Sequence, residues 1–286
     1  MVAGGPSESL DAGDDGSADR RGPLPGRRQR RLGQNFLADT NLLDAIVADA
    51  ELSPDDVVLE VGGGAGVLTE RLADAARFVH LIELDRGLAD QLEPLAERLG
   101  NVGIIWGDAL KADLSLLDPP PSKMVANLPY SIATPLLIRT IVELPTIQNW
   151  LVMVQKEIAD RLTAGPGSKT YGSPSVVVGV GCEAREVRKV DPAVFVPRPR
   201  VASSLIRIDR TGPPPEPELH ALIRDAFAHR RKSLPRSLET TGPGRAEAAR
   251  EALIELGLPA DSRAESLSPG DFAALGSRMK EGQWKA

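Results

Sequence analysis

The chain has 286 residues, 42 % of them hydrophobic and 3 % aromatic, and carries a formal net charge of −6. A single cysteine, Cys182, excludes an intrachain disulfide, and with only His80, His220 and His229 beside it no Cys/His metal cluster can be assembled. The acidic total argues against a uniformly basic nucleic-acid binder, no apolar run reaches the roughly 18 residues of a membrane helix, and the first 35 residues hold no secretory apolar core, so a cytoplasmic location is expected.

Residues 1–30 read as a disordered tail, rich in Gly, Pro, Ser and Asp over 1–26. Its charge runs from acidic (Glu8, Asp11, Asp14, Asp15, Asp19) to basic (Arg20, Arg21, Arg27, Arg28, Arg30, Arg31). Order is expected from about Arg31, through Gly33-Gln34-Asn35-Phe36-Leu37. Asp39 or Thr40 then caps a helix whose apolar positions Leu42, Leu43, Ile46, Val47 and Ala50 recur at helical spacing.

Strands and helices alternate from there. Val57–Val61, Phe78–Glu83, Val102–Trp106, Met124–Ala126 and Trp150–Val154 read as apolar strands. Between them lie helices around Val67–Ala75, along the Leu88/Leu92/Leu95/Leu99 stripe, and after Thr134-Pro135, which suit the cap and first turn of a helix. Val176–Val180 and Ser204–Ile208 read as two further strands, paired with each other. Near-continuous apolar strands with intervening helices predict a doubly wound parallel sheet, covered on both faces, with its ligand at the carboxyl ends of the strands. The Pro-rich stretch 211–217 reads as a linker from a domain over 31–210 to a helical domain over 218–286, with helices at Leu219–His229, Ala246–Leu256 and Pro269–Met279.

Glu60-Val-Gly62-Gly-Gly64-Ala-Gly66 follows a strand and opens a helix, where glycines allow close backbone approach and free N–H groups face a ligand. Glu83 ends the next strand and can accept both hydroxyls of a ribose; Asp108, after the third strand, can meet an adenine amine. A nicotinamide dinucleotide would use the same turn and acid. Two features favour S-adenosylmethionine: the spacing G-x-G-x-G in place of G-x-G-x-x-G, and Glu60, an acid that suits a cationic ligand and repels phosphate.

Asn127-Leu128-Pro129-Tyr130 ends the fourth strand. Methylation of an exocyclic base amine needs acceptors for its N–H hydrogens, because its lone pair is delocalised into the ring. The Asn127 side-chain oxygen and the Leu128 carbonyl can be those acceptors, Pro129 stiffens the turn, and Tyr130 offers a stacking face; the plain alternative is a Pro turn with a buried Tyr. Phe195-Val-Pro197-Arg-Pro199-Arg-Val201-Ala-Ser203 presents a second aromatic, Phe195, as an opposite wall for a flipped base, with Arg198 and Arg200 placed for phosphates. Gly165-Pro-Gly167-Ser-Lys169-Thr170 imitates a phosphate loop, but no glycine precedes the lysine and no helix pattern follows; it reads as a mobile loop with Lys169 available to RNA. His80, mid-strand, reads as a core histidine. A second basic cluster is Arg230-Arg231-Lys232.

Taken together, Gly33–Leu37, Glu60–Gly66, Ile82-Glu83-Leu84-Asp85, Gly107–Leu110, Asn127–Tyr130, Gln155-Lys156-Glu157, Tyr171-Gly172, Phe195–Val201 and Arg230–Lys232 occur in the order found in the ribosomal RNA adenine N6,N6-dimethyltransferases. The chain resembles that family over roughly residues 31–280, and within it the bacterial small-subunit branch. The resemblance implies a Rossmann-like class I methyltransferase sheet with a small helical C-terminal domain. It implies S-adenosylmethionine as cofactor and two adjacent adenosines in the 3′-terminal hairpin loop of 16S rRNA as substrate, within a partly assembled 30S subunit, for a monomeric enzyme without metal. The family's cofactor contacts fall on Asn35, Leu37, Gly62, Glu83, Asp108 and Asn127, with Gly64 in the same turn. The rivals are a 23S rRNA dimethyltransferase of the macrolide-resistance type, a non-catalytic ribosome-assembly factor and a dinucleotide oxidoreductase. Two residues depart from the family pattern: Gly63 stands where Pro is usual, and Pro235 is expected to kink or end a helix.

Overall fold

A computed structural model describes residue 1 and residues 36–37, 39–199, 201–229 and 231–281, with backbone alone at 36, 37, 196 and 281. The expected tail, Asn35, Arg200 and Arg230 lie outside the described residues.

A short strand β1 (Phe36–Leu37) precedes helix α1 (Thr40–Ala50), whose N-cap Asp39 accepts from the Asn41 and Leu42 N–H groups. Five strands follow with helices between them: β2 (Val57–Val61), α2 (Val67–Ala75), β3 (Phe78–Glu83), α3 (Ala89–Leu99), β4 (Val102–Trp106), β5 (Lys123–Asn127), α4 (Ala133–Glu143) and β6 (Asn149–Gln155). After α5 (Lys156–Leu162) and α6 (Ser173–Gly181) come β7 (Cys182–Val190), the short β8 (Phe195–Val196) and β9 (Ser203–Arg210). Helices α7 (Pro217–Ala226), α8 (Leu234–Glu239), α9 (Arg245–Glu255) and α10 (Pro269–Glu281) complete the chain.

The main sheet has the order β4-β3-β2-β5-β6-β9-β7. β4 through β6 are parallel, but β9 is antiparallel to β6 and to β7, so the sheet is mixed and not parallel throughout. The chain turns outward in both directions from β2 and β5, which pair with Val58 opposite Lys123 and Leu59 opposite Met124. This reversal is the topological switch point, and it brings the turn after β2 beside the end of β5. In the second, small sheet β1 pairs antiparallel with β8, Leu37 opposite Phe195, which ties the segment before α1 to the chain between β7 and β9.

Three expectations are corrected. Val176–Val180 is not a strand: it lies in α6, and β7 takes the place beside β9. A short β-branched run has no periodicity to separate strand from helix when it is buried all round, and Ser175, Val176, Val177 and Val178 are all buried. Val176, Val177 and Tyr171 share an apolar cluster with Leu222, Leu253 and Phe272 of the C-terminal helices, while Val178 packs into the core of the main sheet. Pro135 sits inside the first turn of α4, behind N-cap Ile132, and not at its first position. Pro235 neither kinks nor ends a helix; it lies in the first turn of α8, where its missing N–H costs nothing.

Candidate active site

A cleft of about 490 Å³ opens at the switch point. Its walls are the turn after β2, the end of β3, the 107–109 segment after β4, and the residues that follow β5. The sequence-predicted residues Gly62, Gly64, Glu83, Asp108, Asn127, Leu128, Pro129 and Tyr130 all line it.

The glycine turn is compact for a steric reason. Gly62 has φ +80°, and a side chain there would also press on the Pro129 ring, its Cβ 3.3 Å from Cγ and Cδ. The Gly62 N–H donates to the Ile82 carbonyl at 2.9 Å, which locks the turn to β3. Gly66, φ +79°, begins α2 where a side chain would run into Leu95.

Two buried carboxyls flank this turn. Glu83 is 2 % exposed; its Oε1 accepts from the Asp85 N–H at 2.9 Å and its Oε2 from the Gly64 N–H at 3.2 Å. Burial raises its pKa, and backbone N–H donors from Asp85, Gly64 and Leu84 only partly counter this. Glu60 is 1 % exposed, and burial pushes its carboxyl up to about 8, with the nearby Glu83 charge adding to the rise. Its Oε2 is buried without a hydrogen-bond partner. Burial thus keeps this carboxyl protonated at neutral pH and leaves one oxygen that a donor group can satisfy. Asp108 is half-buried; its Oδ1 accepts from the Leu110 N–H at 2.9 Å and its Oδ2 stands 3.8 Å from Lys111 Nζ.

On the other side, β5 delivers Asn127 at the strand end. The Leu128 N–H donates to the Met153 carbonyl at 3.1 Å and the Ile132 N–H to the Pro129 carbonyl at 3.1 Å, so the Leu-Pro-Tyr turn is held against β6 and wound into α4. Leu128 is buried, Pro129 exposed and Tyr130 half-buried. The Tyr130 phenol is hydrogen-bonded to Ser203 Oγ at 2.8 Å, and Ser203 is itself buried at the start of β9.

Phe195 is 2 % exposed, is absent from the cleft walls, and belongs to the apolar cluster of Leu43, Ile46, Val125 and Leu205 beneath α1. Burying a phenyl ring there stabilises the fold by about 1.5–3 kcal/mol, which outweighs leaving it in solvent. The backbone of Leu37 lies opposite it in the β1–β8 pair, while Asn35 lies outside the described residues. The basic residues are spread over separate loops. Lys169 is in the α5–α6 loop, where the Gly167 N–H donates to the Glu265 carbonyl at 2.8 Å. Arg198, after β8, pairs with Asp191 at 3.7 Å, and Arg231 and Lys232 are exposed between α7 and α8. His80 is buried mid-strand, its Nε2 2.7 Å from the Pro119 carbonyl.

Sequence reasoning missed Leu43 and Leu84 as cleft-lining residues, and Ser203 as the partner of Tyr130. Leu84 was the most legible of them: a leucine that follows an acidic strand end and stays 61 % exposed. Ser203 offered no signal, since its partner is 73 residues away in the chain.

The model of the ribosomal RNA adenine dimethylase family matches residues 26–280. The chain is 44 % identical to a "ribosomal RNA small subunit methyltransferase A" of Rubrobacter xylanophilus, covering 88 % of this chain and 95 % of that protein. It is 43 % identical to the protein of the same name from Rhodococcus opacus, covering 87 % and 88 %. Among solved structures it is similar to a dimethyladenosine transferase from Plasmodium falciparum, with TM-score 0.71 and 25 % identity over 85 % of this chain and 96 % of that one. It is also similar to the 23S rRNA methyltransferase ErmE, with TM-score 0.63 and 29 % identity over 86 % and 100 %.

Proposed function

The chain belongs to the ribosomal RNA adenine dimethylase family, and from that premise we propose that it dimethylates the N6 amines of two adjacent adenosines in the 3′-terminal hairpin loop of 16S rRNA. One observation carries the reading: the glycine turn and Asn127–Tyr130 meet as two walls of one cleft at the sheet's switch point. The chain's 43–44 % identity to proteins named for the small subunit, against 29 % to ErmE, favours the small-subunit substrate over 23S rRNA.

S-adenosylmethionine fits the residues present. Glu83 and Asp108 make the cofactor side acidic, and Glu60 Oε2, buried without a partner, is an acceptor that a donor group can satisfy. A dinucleotide's two phosphates would meet the same acids unfavourably. The Gly62–Gly64 backbone, Glu83 and Asp108 would hold the nucleoside, with Asn35 and Leu37 added by the family pattern. When bound, the cofactor supplies a sulfonium-activated methyl group.

The chain's own residues then position the acceptor. Asn127 Oδ1 and the Leu128 carbonyl take the two N–H hydrogens of the adenine amine and aim its lone pair, and Pro129 keeps that carbonyl fixed. Tyr130 stacks on the base. The alkylated nitrogen is strongly acidic and sheds its proton without a dedicated base, so rate derives from positioning and electrostatics. Lys169, Arg198, Arg200, Arg230, Arg231 and Lys232 bind RNA phosphates, and a partly assembled 30S particle provides the shaped substrate that an acidic monomer needs.

The test is transfer of tritiated methyl groups from S-adenosylmethionine to 30S subunits lacking the modification, with the products mapped. Dimethyladenosine at two neighbouring positions of the 16S hairpin is expected; labelling confined to 23S rRNA reverses the substrate assignment.

A further inference from the structure

Arg139 lies on α4, nine residues beyond Tyr130, and its side chain is 20 % exposed. It reaches back across the fold to the segment after β4. Nη1 donates to the Ala109 carbonyl at 2.9 Å and Nη2 to the Ala112 carbonyl at 2.8 Å, while Nε donates to Glu143 Oε2 at 2.8 Å. Between those two carbonyls the chain makes a tight turn. The Lys111 and Ala112 N–H groups both donate to the Asp108 carbonyl at 2.9 Å, and the Asp108 side chain accepts from Leu110. The Asp108 turn is therefore closed on itself at one end and clamped by one planar guanidinium at the other.

Such a fork satisfies two divergent carbonyls with fixed geometry, which a lysine or a water cannot reproduce. The anchor matters because α4 is wound directly from the Leu-Pro-Tyr turn. The same short helix thus starts at the substrate wall and grips the segment that carries Asp108.

We propose that Arg139 is a positioning residue for the cofactor's adenine: by holding the Ala109 and Ala112 carbonyls it aims Asp108 at the exocyclic amine. This rests on the reading of Asp108 as the adenine contact. It makes Arg139 a determinant of base discrimination as well as a structural clamp, and the two roles separate experimentally.

The measurement is calorimetric binding of S-adenosylhomocysteine and of its inosine analogue, which lacks the amine, to the full chain and to Arg139→Met and Arg139→Lys. The wild-type chain should prefer the adenosine form by about tenfold or more, the worth of one hydrogen bond to a charged group. Arg139→Met should lose about tenfold in affinity for the adenosine form with little change for the inosine form, so the preference collapses, and Arg139→Lys should fall between. Transfer to RNA at saturating cofactor should be nearly retained, so that KM for the cofactor rises while kcat holds. A variant that melts earlier yet keeps the wild-type preference overturns the proposal and leaves Arg139 a clamp only. If Arg139→Met does not fold, a wild-type preference in Arg139→Lys overturns it equally. A wild-type chain that binds both ligands alike overturns the Asp108 contact, and one that binds neither overturns the cofactor reading itself.

Discussion

The two walls of the cleft are built on different principles. The wall proposed to hold the cofactor is a backbone object: glycines at positive φ, N–H groups that hold the Glu83 carboxylate, and carboxyls kept from water. The wall proposed to meet the substrate is a side-chain object: an exposed proline, and a half-buried tyrosine oriented through one phenol–hydroxyl contact at 2.8 Å. A small ligand of constant shape rewards a rigid backbone mould. An RNA base that must enter, react more than once and leave is better served by groups that can be adjusted singly.

The largest effect expected is at the junction of the walls. Asn127→Ala should lower methyl transfer by about 10²–10³-fold, as loss of a preorganised polar group at the reacting centre does. Single-turnover transfer to 30S subunits measures it, and a rate near wild type would remove Asn127 from the mechanism.

The cofactor wall should show itself in stability against pH. The Glu60 carboxyl is held near 8 in the fold against an ordinary 4.5. Between those values the unfolded chain ionises while the folded one stays protonated, so this group makes stability fall as pH rises through that window and level off above it. Glu60→Gln should remove the slope, which is worth at most a few kcal/mol. Melting temperatures at pH 5 and 8.5 check it: the variant should gain on wild type at the higher pH, and parallel curves would mean that Glu60 ionises normally. The same variant should bind S-adenosylmethionine more weakly.

The substrate wall should respond to smaller changes. Tyr130→Ala should cost about 1–3 kcal/mol of base stacking, and Ser203→Ala about 1 kcal/mol through the lost hydroxyl contact. Added to Tyr130→Ala, the serine change should do almost nothing further; full additivity in kcat/KM for RNA would show that Ser203 acts elsewhere. The smallest effect is on salt. Neutralising Arg230, Arg231 and Lys232 together should reduce the salt-dependence slope of RNA binding by about 2. An unchanged slope moves the RNA surface away from the α7–α8 turn.

The same division decided what could be read from the sequence. The cofactor wall was legible because backbone requirements leave marks: glycines at fixed intervals after a β-branched strand, and acids at strand ends. β2, β3, β5 and β6 were visible as apolar runs since most of their residues are buried, and even the part-buried edge strand β4 keeps an apolar run. Side-chain placement over long separations left no such marks. Phe195 could be read as a wall or as core, and the pairing of β8 with β1, which settles its backbone, joins segments nearly 160 residues apart. Arg139 pairs with Glu143 one helical turn on, and nothing local in the sequence announces the two carbonyls it also holds. The valine run of α6 failed for a related reason: a helix packed on every side carries no amphipathic pattern.

Tyr171 has a practical consequence. It is one of only two tyrosines in the chain; it is 1 % exposed, its phenol donates to the Leu267 carbonyl at 2.8 Å, and burial pushes its pKa up to about 12. A phenol-selective reagent such as a nitrating agent therefore meets a molecule with a single accessible target, Tyr130, and that target lines the cleft. Wild-type protein thus carries a native chromophore handle in this cleft, and protection of that handle by cofactor or RNA can be titrated without introducing any label.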